Sequence, residues 1–142
     1  MTVTAERARE LLYAAHDAWN ARDIERLVSL FVDDMTYWSN AGGPDGGELT
    51  ILGKEAFRKQ LREWSGSESI SVPQHFRFDN GLGRASIEFY VRDSESGHKY
   101  VGTYRQIATY RDNRILRFDI YHDASALAAF LELASRKETP QG

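Results

Sequence analysis

The chain has no cysteine, so disulfides, thiolate metal sites and a cysteine nucleophile are excluded. No apolar run approaches a membrane span, and the first ten residues are polar and charged, without a signal-peptide core. A cytoplasmic protein with no membrane partner is therefore expected. Charge of one sign is also scarce: the net charge is −3, with acids and bases interleaved. The densest basic stretch, Arg105, Arg111, Arg114 and Arg117, is interrupted by Asp112 and Asp119. A nucleic-acid surface needs a concentrated basic face, so nucleic acid is not an expected partner. There is neither an internal repeat of solenoid length nor a low-complexity segment.

What is present is the composition of one folded domain. Over 142 residues, 42% are apolar and 27% charged, the balance of a soluble chain that builds a core without metals or staples. A single domain over residues 1–142 is expected, with its core at about 4–135 and a frayed tail at 136–142. Aromatic residues make up 12% and fall mostly in the second half.

The periodicity changes along the chain. Ala8, Leu11, Leu12, Ala15 and Trp19 form a helical stripe within residues 4–21. Asp23 is placed to cap a second helix carrying Ile24, Leu27, Val28, Leu30 and Phe31, which Asp33-Asp34 ends. Residues 35–39 and 49–52 read as short strands around the glycine-rich loop 42–47. Gly53 starts a third helix that runs to Trp64. Residues 70–78, 84–92, 98–111 and 114–122 are rich in β-branched and aromatic side chains. Turns at Asn80-Gly81, 94–97 and Asp112-Asn113 separate them, which predicts an antiparallel meander. A last helix at 124–135 has Asp123 as its cap.

Three long helices cannot cover both faces of such a sheet. The expected fold class is α+β: a cone-shaped, strongly curved mixed β-sheet wrapped around a long N-terminal helix, with three to four helices. That helix cannot fill a cone along its whole length, so a ligand pocket is expected at the open end.

The words Trp19-Asn20-Ala21-Arg22-Asp23, Leu30-Phe31-Val32-Asp33-Asp34, Gly53-Lys54-Glu55-Ala56, Asn113-Arg114-Ile115 and Tyr121-His122-Asp123 occur in this order. Together they resemble the SnoaL-like group of the nuclear-transport-factor-2-like superfamily, over about residues 8–133. The resemblance implies the cone fold and kinship with ketosteroid isomerases, scytalone dehydratase and polyketide cyclases. Laid on the ketosteroid isomerase pattern, the oxyanion and base positions fall on Ala15, Gln106 and Ser39, none fit for that mechanism. Limonene epoxide hydrolases are similar in layout, but Tyr104-Arg105-Gln106 lacks their aspartate. Scytalone dehydratase carries a catalytic histidine in a word matched by Gln74-His75-Phe76, while its helix-one pair falls on Trp19-Asn20.

His75 is thus the first candidate for acid/base work, since imidazole both takes and gives protons near neutrality. Strand alternation sets Ile70, Val72, Gln74, Phe76 and Phe78 on one face and sends His75 to the other, outward unless a bulge near Pro73 turns it. His122 shares a face with Leu116, Phe118 and Ile120 and is the second candidate; Asp17 is the third. His16 reads as a helix-surface residue. Asp119 should point outward. Tyr100, Tyr104 and Tyr110 share a strand face with Gly102, Gln106 and Ala108, a wall able to contact a planar ligand or, alternatively, to pair across the sheet. Tyr104 and Gln106 are the candidates for holding a ligand oxygen. Ala15, Trp19, Tyr37, Ser39, Phe57, Phe118 and Ile120 complete the expected ligand-binding set, and Trp38 and Trp64 are expected to add to an aromatic cavity.

The loop 42–47 lacks the lysine and helix of a phosphate cradle and reads as a flap over the mouth. Histidine spacing gives no metal site, and no cofactor is expected. The expected function is a cofactor-independent cyclase, isomerase or dehydratase acting by acid/base chemistry on an oxygenated, largely apolar metabolite of polyketide or terpenoid type. A non-catalytic ligand-binding domain of the same fold is the alternative. A homodimer through the convex sheet face is expected in either case.

Overall fold

The computed structural model describes residues 3–43 and 46–135. The expected frayed tail and part of the glycine-rich loop lie outside these residues. The element order is α1 (Ala5–Asn20), α2 (Ile24–Ser29), β1 (Phe31–Ser39), β2 (Leu49–Leu52), α3 (Lys54–Trp64), β3 (Glu68–Asp79), β4 (Leu82–Arg92), β5 (Lys99–Arg111), β6 (Arg114–Tyr121) and α4 (Ala124–Ser135). Side-chain caps start three of the helices. Thr4 accepts from Arg7 N at 3.1 Å, Asp23 from Arg26 N at 3.1 Å and Asp123 from Ala126 N at 3.1 Å.

One boundary differs from expectation. Leu30 and Phe31 do not continue α2; β1 begins at Phe31. Pairing decides this. Ile115 N donates to Leu30 O at 2.9 Å, and Phe31 sits opposite Ile115 in register. There the Phe31 ring is fully buried, edge-on to Phe57 and Phe118, each with ring centroids 5.0 Å away.

The six strands run in the order β2-β1-β6-β5-β4-β3. β1 and β6 are parallel, and every other neighbouring pair is antiparallel. Asn80 and Gly81 both have positive φ, as do Asp112 and Asn113. That is the two-residue turn whose twist matches the flanking strands. The result is the expected α+β cone, an unclosed mixed sheet with α1 packed chiefly on β3.

Strand β3 reverses the expected alternation. Ser69 and Ser71 are buried, while Ile70 and Val72 face outward, Ile70 at 52% exposure. The inward serines are affordable because α1 satisfies this strand edge. Asn20 Nδ2 donates to Ser71 O at 2.8 Å and Asn20 Oδ1 accepts from Ser71 N at 3.0 Å. Arg22 donates to Trp19 O, Ser67 O and Ser69 O, each at 2.8 Å, with its guanidinium 4.2 Å from the Trp19 ring centroid. The Trp19-Asn20-Ala21-Arg22 word thus fastens the end of α1 to the otherwise unpaired edge of β3.

Candidate functional site

A cavity of about 280 Å³ opens between α1, α3 and the concave sheet face. One wall is aromatic and apolar, built from Trp19, Tyr37, Phe57, Trp64 and Phe118. Tyr37 stacks on Phe57 with centroids 5.6 Å apart and tilts against Trp64 at 5.7 Å. The facing wall is polar but uncharged: Ser69 and Ser71 from β3, Ser67 just before it, Gln106 from β5 and His16 from α1. Among the described residues, no Asp, Glu, Lys or Arg side chain lines the cavity.

His16 is the residue that the periodicity misplaced. It is buried at 5% exposure instead of lying on the helix surface. The sheet wraps far enough around α1 to bury Leu12, Ala15, His16 and Ala18 together, an arc wider than the sequence stripe. Its Nδ1 lies 2.6 Å from Ser71 Oγ and its Nε2 2.8 Å from Gln106 Oε1. Burial lowers its pKa to about 4 against the opposing pull of the Gln106 bond and the nearby Asp17 charge. The ring is neutral at neutral pH. The signal for this position was the spacing of His16 one turn before Asn20, both of whose side chains reach Ser71 of β3.

His122 stands at the mouth, after the end of β6, and lines the cavity. Its ring packs against Tyr104 with centroids 4.7 Å apart and against Phe89 at 5.7 Å. Burial lowers its pKa to about 4. Among the described residues, neither imidazole nitrogen has a hydrogen-bond partner. Tyr104 is also buried, which raises its phenol well above the ordinary value, with the Tyr37 phenol adding to the shift and a Ser71 hydrogen bond opposing it. Tyr37 is raised by burial as well.

Two of the three expected acid/base residues are not here. His75 is exposed. The register of β3 against β4 slips between Gln74 and Arg77, and His75 takes φ 55. The bulge therefore sits on His75 itself and turns the ring outward, while bringing Phe76 and Phe78 toward the interior. Asp17 is exposed on the outer side of α1. His122 alone of the three reaches the cavity.

Of the expected ligand-binding residues, Ala15, Trp19, Tyr37, Ser39, Phe57, Tyr104, Gln106 and Phe118 stand on the cavity wall. Ile120 does not; it is buried in the core behind it. Trp38 faces the other side of the sheet, its ring 5.1 Å from Tyr121 and its Nε1 donating to Glu48 at 2.7 Å. Tyr100 and Tyr110 are spent on packing, against Phe130 and Phe78 respectively. Ala41 and Gly42, where the glycine-rich loop begins, also line the cavity. Asp119 is ion-paired to Arg117 at 2.8 Å. Among the described residues, no three His, Asp or Glu side chains converge as a metal-binding group.

Residues 12–118 match the family model described as the SnoaL-like domain. The chain belongs to this family. No curated protein matches it by sequence. Solved structures show the same SnoaL-like fold at low identity. TerC, co-crystallised with polyporic acid, superposes with TM-score 0.77 at 20% identity, covering 89% of this chain and 98% of its own. An LEH-like epoxide hydrolase of M. tuberculosis gives 0.73 at 15% identity, covering 92% of each chain. A putative polyketide cyclase of Xanthomonas campestris pv. campestris gives 0.67 at 17% identity, covering 89% of this chain and 97% of its own. At such identities the likeness establishes the fold alone.

Proposed function

We propose that this SnoaL-like protein takes an uncharged, largely apolar, oxygenated organic molecule into the cavity and moves a proton on it, as a cofactor-independent cyclase, isomerase or dehydratase. The carrying observation is the lining. It offers aromatic surface, hydroxyls, an amide and two neutral imidazoles, and no ionised side chain among the described residues. A charged ligand group would lose its water there without gaining a partner, which is costly. An aromatic ligand with oxygen substituents keeps both walls satisfied.

His122 is the proton carrier in this reading. Its nitrogens have no hydrogen-bond partner among the described residues, and the ring is neutral at neutral pH, so it can accept a proton. The imidazolium so formed stands against aromatic rings and returns its proton readily. That suits moving a proton between two positions of one ligand, as in isomerisation, ring closure or loss of water. Tyr37 and Tyr104, kept as neutral phenols by burial, are donors available beside it.

The neighbouring fold of TerC, crystallised with polyporic acid, and of a putative polyketide cyclase supports this class of ligand. A purely binding role is the second reading. It is favoured by the fact that no carboxylate among the described residues orients His122. Hydrogen–deuterium exchange separates the two. Oxygenated polycyclic compounds that raise the melting temperature are incubated with the protein in D2O, and loss of the C–H next to a carbonyl is followed by NMR. Exchange accelerated by the wild type and lost in His122→Phe, with binding retained, supports catalysis; equal exchange in both leaves a binder.

The outer sheet face is the proposed dimer surface. Ile70, Tyr90 and Val101 form one cross-strand row there, and Val101 is 67% exposed, an apolar strip that a second copy would cover.

A further inference from the structure

Gln106 carries an amide that touches both the buried imidazole and the cavity. Each His16 nitrogen is engaged, Nδ1 with Ser71 Oγ at 2.6 Å and Nε2 with Gln106 Oε1 at 2.8 Å. A neutral imidazole has one donor and one acceptor nitrogen, so protons along this chain run in a single direction. An amide oxygen only accepts, so His16 Nε2–H donates to Gln106 Oε1. Nδ1 is then the acceptor nitrogen and accepts from the Ser71 hydroxyl. This uses the Gln106 carbonyl. Its NH2 group has no protein partner among the described residues and is what Gln106 offers to the cavity.

We propose that His16 is a positioning residue that fixes Gln106 as a hydrogen-bond donor, so that the cavity selects ligands carrying a carbonyl oxygen over the matching alcohol or hydrocarbon. This step rests on the cavity being a site for an uncharged organic molecule. It adds the polarity of the recognised group. Three side chains from three elements define that polarity: His16 from α1, Ser71 from β3 and Gln106 from β5. Because Ser71 is itself gripped by Asn20 through both backbone atoms, the donor is held in place before any ligand arrives, which lowers the entropic cost of recognition.

The test uses three planar probes of one shape: fluorene, 9-fluorenol and 9-fluorenone, the last with a 13C-labelled carbonyl. Titration calorimetry of the wild-type protein should show fluorenone binding roughly threefold to tenfold more tightly than either of the others, the worth of one neutral hydrogen bond. The isotope-edited carbonyl stretch of bound fluorenone should lie at lower wavenumber in the wild type than in Gln106→Met. That variant should bind all three alike. His16→Gln, which keeps a donor near the Nε2 position, should retain the preference, and His16→Leu should lose it. Tighter binding of fluorenol, absence of any preference, or a stretch unmoved by Gln106→Met overturns the donor assignment while fluorene still binds. If fluorene itself does not bind the wild type, the cavity reading falls with it.

Discussion

The side chain of Asn40 closes two hydrogen bonds on the backbone of His122: Asn40 Oδ1 accepts from His122 N at 2.8 Å, and Asn40 Nδ2 donates to His122 O at 3.0 Å. Asn40 N also donates to Ile120 O at 3.1 Å. The parallel β1–β6 ladder is thereby prolonged by one side chain, which delivers the His122 ring to the mouth of the cavity. Asn20 does the same to Ser71 on the opposite rim. Two asparagines thus hold the two ends of the polar site.

Replacement of Asn40 by Ala should therefore act on His122 without touching the cavity wall. Loss of two partly buried hydrogen bonds is expected to cost about 1–3 kcal/mol of stability by urea denaturation. The histidine ring resonances of His122 should shift in the NMR spectrum, while those of His16 stay in place. Unmoved His122 resonances would remove Asn40 from this role.

The buried His16 and the half-buried His122 make stability fall on acidification. His16 has a folded pKa of about 4 against 6.5 for the free side chain, so between these values the unfolded chain binds more protons than the folded one. Stability is intact above about pH 6.5 and declines as the pH drops toward 4. His16 alone accounts for about 3 kcal/mol across that window, and His122 acts in the same direction. Urea midpoints measured across this range should fall steeply for the wild type and less so for His16→Gln. A flat wild-type profile would contradict the burial of His16.

His75 provides the control. It is exposed and sits on the bulge of β3, so His75→Ala should leave ligand binding and any exchange activity within about twofold, and stability within about 0.5 kcal/mol. A tenfold loss of exchange activity would return His75 to the site.

The order of all ten elements was legible from periodicity and turn residues, because hairpin turns such as Asn80-Gly81 and Asp112-Asn113 carry local chemistry that no tertiary contact overrides. The helix-two boundary was not, since Phe31 is claimed by a strand partner 84 positions away in Ile115. Much of the cavity wall could be read in advance: the helical stripe carried Trp19, and the resemblance to ketosteroid isomerases turned the strand face of Tyr104 and Gln106 toward the pocket, where both stand. The polar side of the site was hidden for a physical reason. Strand β3 turns serines inward and Ile70 outward, inverting the usual rule, so the apolar face pointed to the wrong side and His16 looked like surface. Only the tertiary partners Ser71 and Gln106 explain why an imidazole is tolerated there.

The proposed function depends on a cavity that accepts aromatic surface and refuses charge. Its most direct measurement is the affinity of the wild-type protein for fluorene beside that for fluorene-9-carboxylate at neutral pH, by calorimetry. With no cationic partner on the described wall, the carboxylate is predicted to bind at least about tenfold more weakly than the hydrocarbon. Equal or tighter binding of the carboxylate would contradict it.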